Sequence, residues 1–523
     1  MKKEHWQQLI QLTFPAVAFG TATGFVTAVV ITVYKWCAKH AVHLSEEGYH
    51  FLREQWYWIP AVVAVLLGLS FFLAFCYKKT PNIRGGGIPT SIGLLRGLIS
   101  FHWPRNVVGT FFLSLISFLT GVPLGTEGPS VQMGTALGRG TVWATGKRNL
   151  AWNRYAMTGG ACAGFSVATG APLSGLIFAI EEAHQRISPM IVIVSATSVV
   201  SSMLTAEWLS PLLGVSVSLF PSPTPLVLSI KDAWLPILIG VVFGLFSVLF
   251  LNVYQWISRF YKRTLAHIPA AYRVFSVLLL TLILGLCSFS FISTGHELII
   301  TLFSDSPALL MLVLILIVRT MLTLSANANG VVGGIFLPLL AIGAVLAALL
   351  SGAVQAFGLS TEYHHVVLML GITACIAGMM KSPLTAIFFG IEALAGGGNL
   401  LYVIVTAAIT YVITEAFDTT SINDWVLEDR VEHLRGDAPM HTYDMFITVQ
   451  AGSFAVGKPV REIFWPAKLF VLSVRHPEDQ EAAGHTGRGI RAGDVLHVQF
   501  TTHDRAQTEQ ELHEIVGYEE NTK

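Results

Sequence analysis

Apolar runs of membrane-spanning length, at about 14–36, 58–77, 107–123, 190–208, 233–258, 274–293, 308–325 and 399–416, constrain this chain more than any other feature. Between them lie shorter apolar pieces broken by Gly and Pro, at about 88–101, 129–144, 151–168, 171–184, 335–352, 364–379 and 382–395. Many of these are too short to cross a bilayer straight. A helix that starts or stops in lipid leaves backbone groups unpaired, which is tolerable only around a buried or watery cavity. The pattern predicts an all-α polytopic membrane protein with an ion or solute site near the midplane. Composition agrees: 12% of the 523 residues are charged, against about 25% in soluble proteins.

Several function classes fall away. Lys plus Arg equal Asp plus Glu at 32 each, so there is no basic signature of nucleic-acid binding. Cys37, Cys76, Cys162, Cys287 and Cys375 have neither disulfide-framework nor zinc spacing. No nucleophile–base pair or metal cluster is legible, so neither an enzyme, a cofactor nor a metal is expected. The start, Met1-Lys2-Lys3, lacks a cleavage site behind a short apolar core, and the first run reads as a retained helix. Lys78, Lys79 and Arg84 form one basic loop, and Arg259, Lys262, Arg263 and Arg273 another, whereas 209–232 holds only Lys231. The positive-inside rule puts the basic loops in the cytoplasm and the third loop outside.

The chain repeats itself. Gly125, Pro129 and Gly134 reappear at the same spacing as Gly334, Pro338 and Gly343. Gly160, Ala163, Pro172 and Glu181 match Gly371, Ala374, Pro383 and Glu392. Two similar halves with a site at their interface follow from such a duplication.

Three clusters place glycines ahead of an apolar segment and a Pro where a helix would begin: Gly85-Gly86-Gly87-Ile88-Pro89, Gly125-Thr126-Glu127-Gly128-Pro129 and Gly333-Gly334-Ile335-Phe336-Leu337-Pro338. Pro suits a first helical turn, and Gly lets backbone come close to a ligand. The free N–H groups and the positive end of the helix dipole form an anion site without a lysine or arginine. A carboxylate at membrane depth costs roughly 2.5 kcal/mol or more, so Glu127 and Glu182 read as ion- or proton-handling groups. One of the adjacent Glu181 and Glu182 reads as structural, Thr126 as a spacer, and His184 and the tail histidines as solvated surface.

Through G-G-G-I-P, G-T-E-G-P, G-I-F-L-P and A-P-L-S-G-L-I-F-A-I-E-E, residues 15–430 resemble the CLC family of chloride channels and proton-coupled chloride transporters. The resemblance implies two inverted halves, about eighteen helical segments, and a homodimer with one ion pathway per subunit. It implies that Glu127 gates the anion path and couples protons, that Glu182 transfers protons internally, and that Gly86, Gly87, Ile88, Gly128, Ile335 and Phe336 bind the anion. Two positions depart from the family: Gly86 replaces an anion-coordinating Ser, and the simplest alignment puts Asn423 where a central Tyr is usual. The implied function is chloride/proton antiport across a bacterial inner membrane. Alternatives are a passive voltage- or proton-gated chloride channel, or transport of another small anion such as fluoride or nitrate.

Beyond about residue 437 charged residues become frequent. Strands are expected at 445–450, 468–475 and 494–500 and a helix at 505–516, making 437–523 a small cytoplasmic α+β domain behind a transport domain of 1–436. V-G-K-P-V-R-E-I (456–463), K-L-F-V-L-S-V-R and I-R-A-G-D-V-L-H-V-Q-F (490–500) resemble the C-terminal module of Trk-type potassium-uptake regulators. That resemblance implies a regulatory domain able to dimerise and to take a small regulatory ligand. A cation-uptake protein is not expected, since no carbonyl filter motif such as T-V-G-Y-G is present.

Overall fold

A computed structural model describes residues 2–146, 151–185, 187–220, 225–305, 307–358, 360–435, 440–475, 489–502 and 504–518. The expected domain boundary at 436–437 lies outside the described residues. The first half runs α1 (Lys2–Glu54), α2 (Ile59–Lys79), α3 (Ile88–Leu95), α4 (Trp103–Leu119), α5 (Glu127–Ala144), α6 (Asn153–Thr169), α7 (Pro172–Phe178) and α8 (Pro189–Leu213). The second holds α9 (Trp234–Thr264), α10 (Ala270–Cys287), α11 (His296–Ser304), α12 (Leu309–Ala328), α13 (Phe336–Ala356), α14 (His364–Cys375), α15 (Pro383–Glu392), α16 (Leu400–Ala416) and α17 (Ile422–Arg435). After these come β1 (His441–Thr448), β2 (Leu469–Arg475), β3 (Val495–Thr502) and α18 (Arg505–Val516). Among the described residues nine helices are long and apolar enough to cross a membrane.

Several lengths differ from those read in the apolar runs. α1 continues from the 14–36 run to Glu54, because Ala38, Ala41, Ser45, Tyr49 and Leu52 form a buried stripe at helical spacing. α13 and the Thr361–Met380 segment are long enough to span, although their sequences looked interrupted. α4 has only 17 residues. α11 and the polar α17 lie outside the apolar runs altogether.

Glycine decides which helices sit at the centre. A Cβ on Gly134 would lie 2.1 Å from the Gly160 carbonyl oxygen, and one on Gly160 would lie 2.0 Å from that of Gly134. α5 and α6 therefore pack backbone to backbone, and α6 is buried along its length from Tyr155 to Thr169. The rim is left to helices such as α2, whose Phe71, Phe72 and Phe75 are exposed.

The duplication appears as reciprocal bonds between the halves. Gly125 and Gly334 pair across an antiparallel bridge, with N–H to carbonyl distances of 2.6 and 2.8 Å. The Glu181 carboxylate accepts from the Leu384 and Thr385 N–H groups at the start of α15, at 2.8 and 2.7 Å. The Glu392 carboxylate accepts from Leu173 and Ser174 at the start of α7, at 2.9 and 3.0 Å. Each acid thus caps the helix of the opposite repeat, which gives Glu181 the structural role expected of one member of its pair.

The tail is an antiparallel sheet of order β1-β3-β2 covered by α18. Central β3 buries Leu496, Val498 and Phe500 against Leu512, Ile515 and Val516. Gly493 takes φ +87° at the turn before β3, and Asp494 Oδ2 closes it by accepting from the Arg491 N–H at 2.8 Å.

Candidate functional site

The ends of α3, α5 and α13 converge closely. A Cβ on Gly87 would stand 2.2 Å from the Gly128 carbonyl oxygen, one on Gly128 2.5 Å from the Gly86 oxygen, and one on Gly334 2.5 Å from the Gly128 nitrogen. Only glycine permits that approach. The structure therefore brings Gly86, Gly87 and Gly128 together with Gly334, which directly precedes Ile335 and Phe336. Gly87, at φ +66° and ψ −61°, forms a γ-turn in which the Ile88 N–H donates to the Gly86 oxygen at 2.6 Å. The Ile88 amide is thereby engaged within the turn. Phe336 is fully buried, its ring edge-on to Phe165 and Phe389 at 5.2 and 5.5 Å. The ring packs, and the residue can meet an anion only through its backbone.

Glu127 opens α5 and is wholly buried. Its carboxylate folds back over the preceding turn, with Oε2 2.5 Å from where a Cβ on Gly125 would be. Thr126 Oγ1 donates to Oε1 at 3.0 Å, so Thr126 is a partner of the acid and not the spacer its position suggested. Oε2 has no hydrogen-bond partner among the described residues. Lys35, and His296 when protonated, are basic side chains that act on the carboxylate. They are tied by Val167, Ser216 and Leu219 carbonyls to the end of the molecule that holds the 209–232 loop.

Glu182 lies in a π-helical turn, Ala179–His184, that follows α7; such turns are frequent at functional positions. Ser382 Oγ donates to its carboxylate at 2.7 Å, and the Asn423 amide donates to both oxygens at 3.2 and 2.9 Å. Asn423, expected by alignment at the central anion site, is thus committed to Glu182. Arg96 donates to the Glu182 and Ala183 carbonyls and pairs with Asp424 at 3.0 Å. A cavity of about 210 Å³ beside the acid is lined by Glu181, Lys381, Tyr411, Glu415 and Asp424. Ser382 and Arg96 escaped sequence reading because their contacts join segments far apart in the chain. His184, read as solvated surface, instead bonds Thr158 at 2.8 Å and packs tilted against the Phe464 ring of the tail, centroids 4.6 Å apart.

A family model described as voltage gated chloride channel matches residues 69–415. The chain belongs to this CLC family. It is a multi-pass membrane protein with the CLC helical fold and a three-stranded carboxy-terminal sheet. It is 26% identical over 423 residues to the H(+)/Cl(-) exchange transporter ClcA of Vibrio parahaemolyticus, spanning 76% of this chain and 85% of that one. The protein of that name from Salmonella typhi is 27% identical over 402 residues, spanning 73% and 81%. A slow cyanobacterial Cl-/H+ antiporter superposes with TM-score 0.71 at 24% identity, over 80% of this chain and 99% of that one. A CLC-type fluoride/proton antiporter gives 0.62 at 20% identity, over 77% and 96%.

Proposed function

We propose that this CLC protein exchanges chloride, or a close small-anion analogue, for protons across a bacterial inner membrane, as a homodimer with one pathway per subunit. The observation that carries the reading is the buried Glu127 carboxylate, with one oxygen unpaired, beside the glycine-lined convergence of three helix ends. Ionised, it competes with an anion for the N–H groups and the positive dipole ends there. Protonated, it loses that attraction and leaves the place to the anion. Helix ends contribute about 0.3–1 kcal/mol each, up to about 2 when partly buried, and hydrogen bonds to a charged group about 1.5–3. Together these offset part of an anion's dehydration yet let it escape.

Gly86, Gly87, Gly128, Ile335 and Phe336 provide the anion's backbone surroundings, with Ile88 closing the turn. Glu182 passes protons between this region and the neighbouring cavity, separately from the anion. The names of the ClcA relatives support chloride and protons as the exchanged ions. The tail is cytoplasmic and regulatory, and a small ligand bound there would act through its contacts with α6 and His184.

Flux from liposomes, followed with chloride and pH electrodes, tests this. Uphill proton movement driven by a chloride gradient is expected. Chloride flux without proton movement would instead make the protein a passive channel, and proton coupling to fluoride or nitrate but not chloride would change the substrate.

A further inference from the structure

Gly86 carries no side chain, yet the space beside it is filled. A Cβ built there would stand 3.2 Å from Asn327 Nδ2, with Pro89 Cδ and the Gly333 oxygen next at 3.8 and 4.0 Å. Asn327 lies in the last turn of α12 and is 6% exposed. Its Oδ1 accepts from the Tyr254 hydroxyl at 2.7 Å, and that tyrosine of α9 is itself buried. With the phenol holding Oδ1, Nδ2 is the amide atom that faces Gly86. Nδ2 is inaccessible to solvent and has no hydrogen-bond partner among the described residues. Buried donors are nearly always paired, so an orphan aimed at a convergence of helix ends calls for an acceptor that arrives from elsewhere.

We propose that Asn327, oriented by Tyr254, is the side-chain donor to the transported anion and sets its selectivity. The proposal rests on the reading of the Gly86–Gly87 backbone as an anion site. A fixed hydrogen-bond donor is worth more to a small anion of high charge density than to a larger, more weakly hydrated one, so this amide, held in place by the phenol, favours chloride over nitrate. The amide also blocks the place of a residue-86 side chain, so Gly86→Ser in the wild-type background has to displace it.

The experiment measures chloride Kd by calorimetry on the purified full-length protein and the chloride-to-nitrate flux ratio in liposomes. Asn327→Ala should weaken chloride binding roughly ten-fold or more, the loss expected for one hydrogen bond to a charged partner, and move the flux ratio towards nitrate. Tyr254→Phe should do the same to a smaller degree. Gly86→Ser added to Asn327→Ala should restore chloride affinity, a rescue that a purely structural asparagine would not allow. A monodisperse Asn327→Ala protein with wild-type Kd and flux ratio would overturn the proposal. Should that variant fail to fold, wild-type values for both Tyr254→Phe and Asn327→Leu, which keeps the bulk and removes the donor, would overturn it equally. Wild-type protein that binds no chloride would overturn the anion-site reading beneath it.

Discussion

Glu127 has one oxygen held by Thr126 and one unpaired, so its neutral and charged forms have different claims on the space beside Gly125. Glu127→Gln removes the charge while keeping the shape. Proton coupling should vanish while anion flux persists, and a mutant still able to drive protons uphill in the electrode assay would remove Glu127 from the coupling step. Glu182 is held by Ser382 and Asn423. Glu182→Gln should lower proton flux far more than anion flux, and equal losses in a folded protein would deny it a separate route. Lys458 in the tail is a residue-scale case of another kind. Burial pushes its ammonium down to about 8, while the unfolded chain holds its proton to about 10.4. Between those values the unfolded state binds the extra proton, so tail stability should rise with pH across that window. Lys458→Met should flatten the rise and stabilise the tail at pH 7 by up to about 3 kcal/mol. Hydrogen exchange of tail amides in the full chain reads both effects.

Helix ends, more than helix lengths, organise the elements. α5 and α6 touch through Gly134 and Gly160 because no side chain keeps them apart, and α3, α5 and α13 meet end to end for the same reason. Gly128→Ala would put a methyl 2.5 Å from the Gly86 oxygen and 2.6 Å from the Gly334 Cα. Both are backbone atoms, so the helix ends must separate. A loss of about 2 kcal/mol or more is expected, read as a lower unfolding midpoint together with impaired transport. The paired caps can be tested too. Glu392→Ala strips the Leu173 and Ser174 N–H groups of their acceptor and should cost about 1 kcal/mol. Thermal unfolding of the single mutant, and of the double with Glu181→Ala, measures this; because both acids bridge α7 and α15, the two losses should not simply add.

Across the whole molecule the tail is attached by specific contacts. Arg154 at the start of α6 donates to the Trp465 oxygen at 2.5 Å and pairs with Glu511 at 3.2 Å, while Tyr155 donates to the Glu462 oxygen at 2.5 Å. Phe464 packs among Trp152, Tyr155 and Met190 and lies tilted against the ring of His184, two residues from Glu182. A change in tail packing can therefore reach the π-helical turn that carries Glu182. Ending the chain near residue 437 should leave a protein that still transports, since every proposed ion-contacting residue precedes that point, but whose flux answers cytoplasmic pH or ligands differently. A folded, wholly inactive truncation would make the tail part of the transport machinery itself.

Local chemistry made much of this legible in sequence. Apolar runs located most of the helices, because backbone in lipid must pair within its own segment. Gly-Pro clusters marked helix starts, and buried acids marked themselves by their cost. The tail helix was legible over 505–516 from its apolar side. Only the tertiary structure decided what meets what. The reciprocal caps of Glu181 and Glu392, the Ser382 and Asn423 bonds to Glu182, and Asn327 beside Gly86 join residues remote in sequence. Asn327 reads locally as the polar end of a helix, and its unpaired amide gains meaning only when α9 and α12 bring it to the Gly86 turn. Sequence periodicity reports which face of a helix is buried, whereas the partner across that face is set by packing between segments that share no local signal.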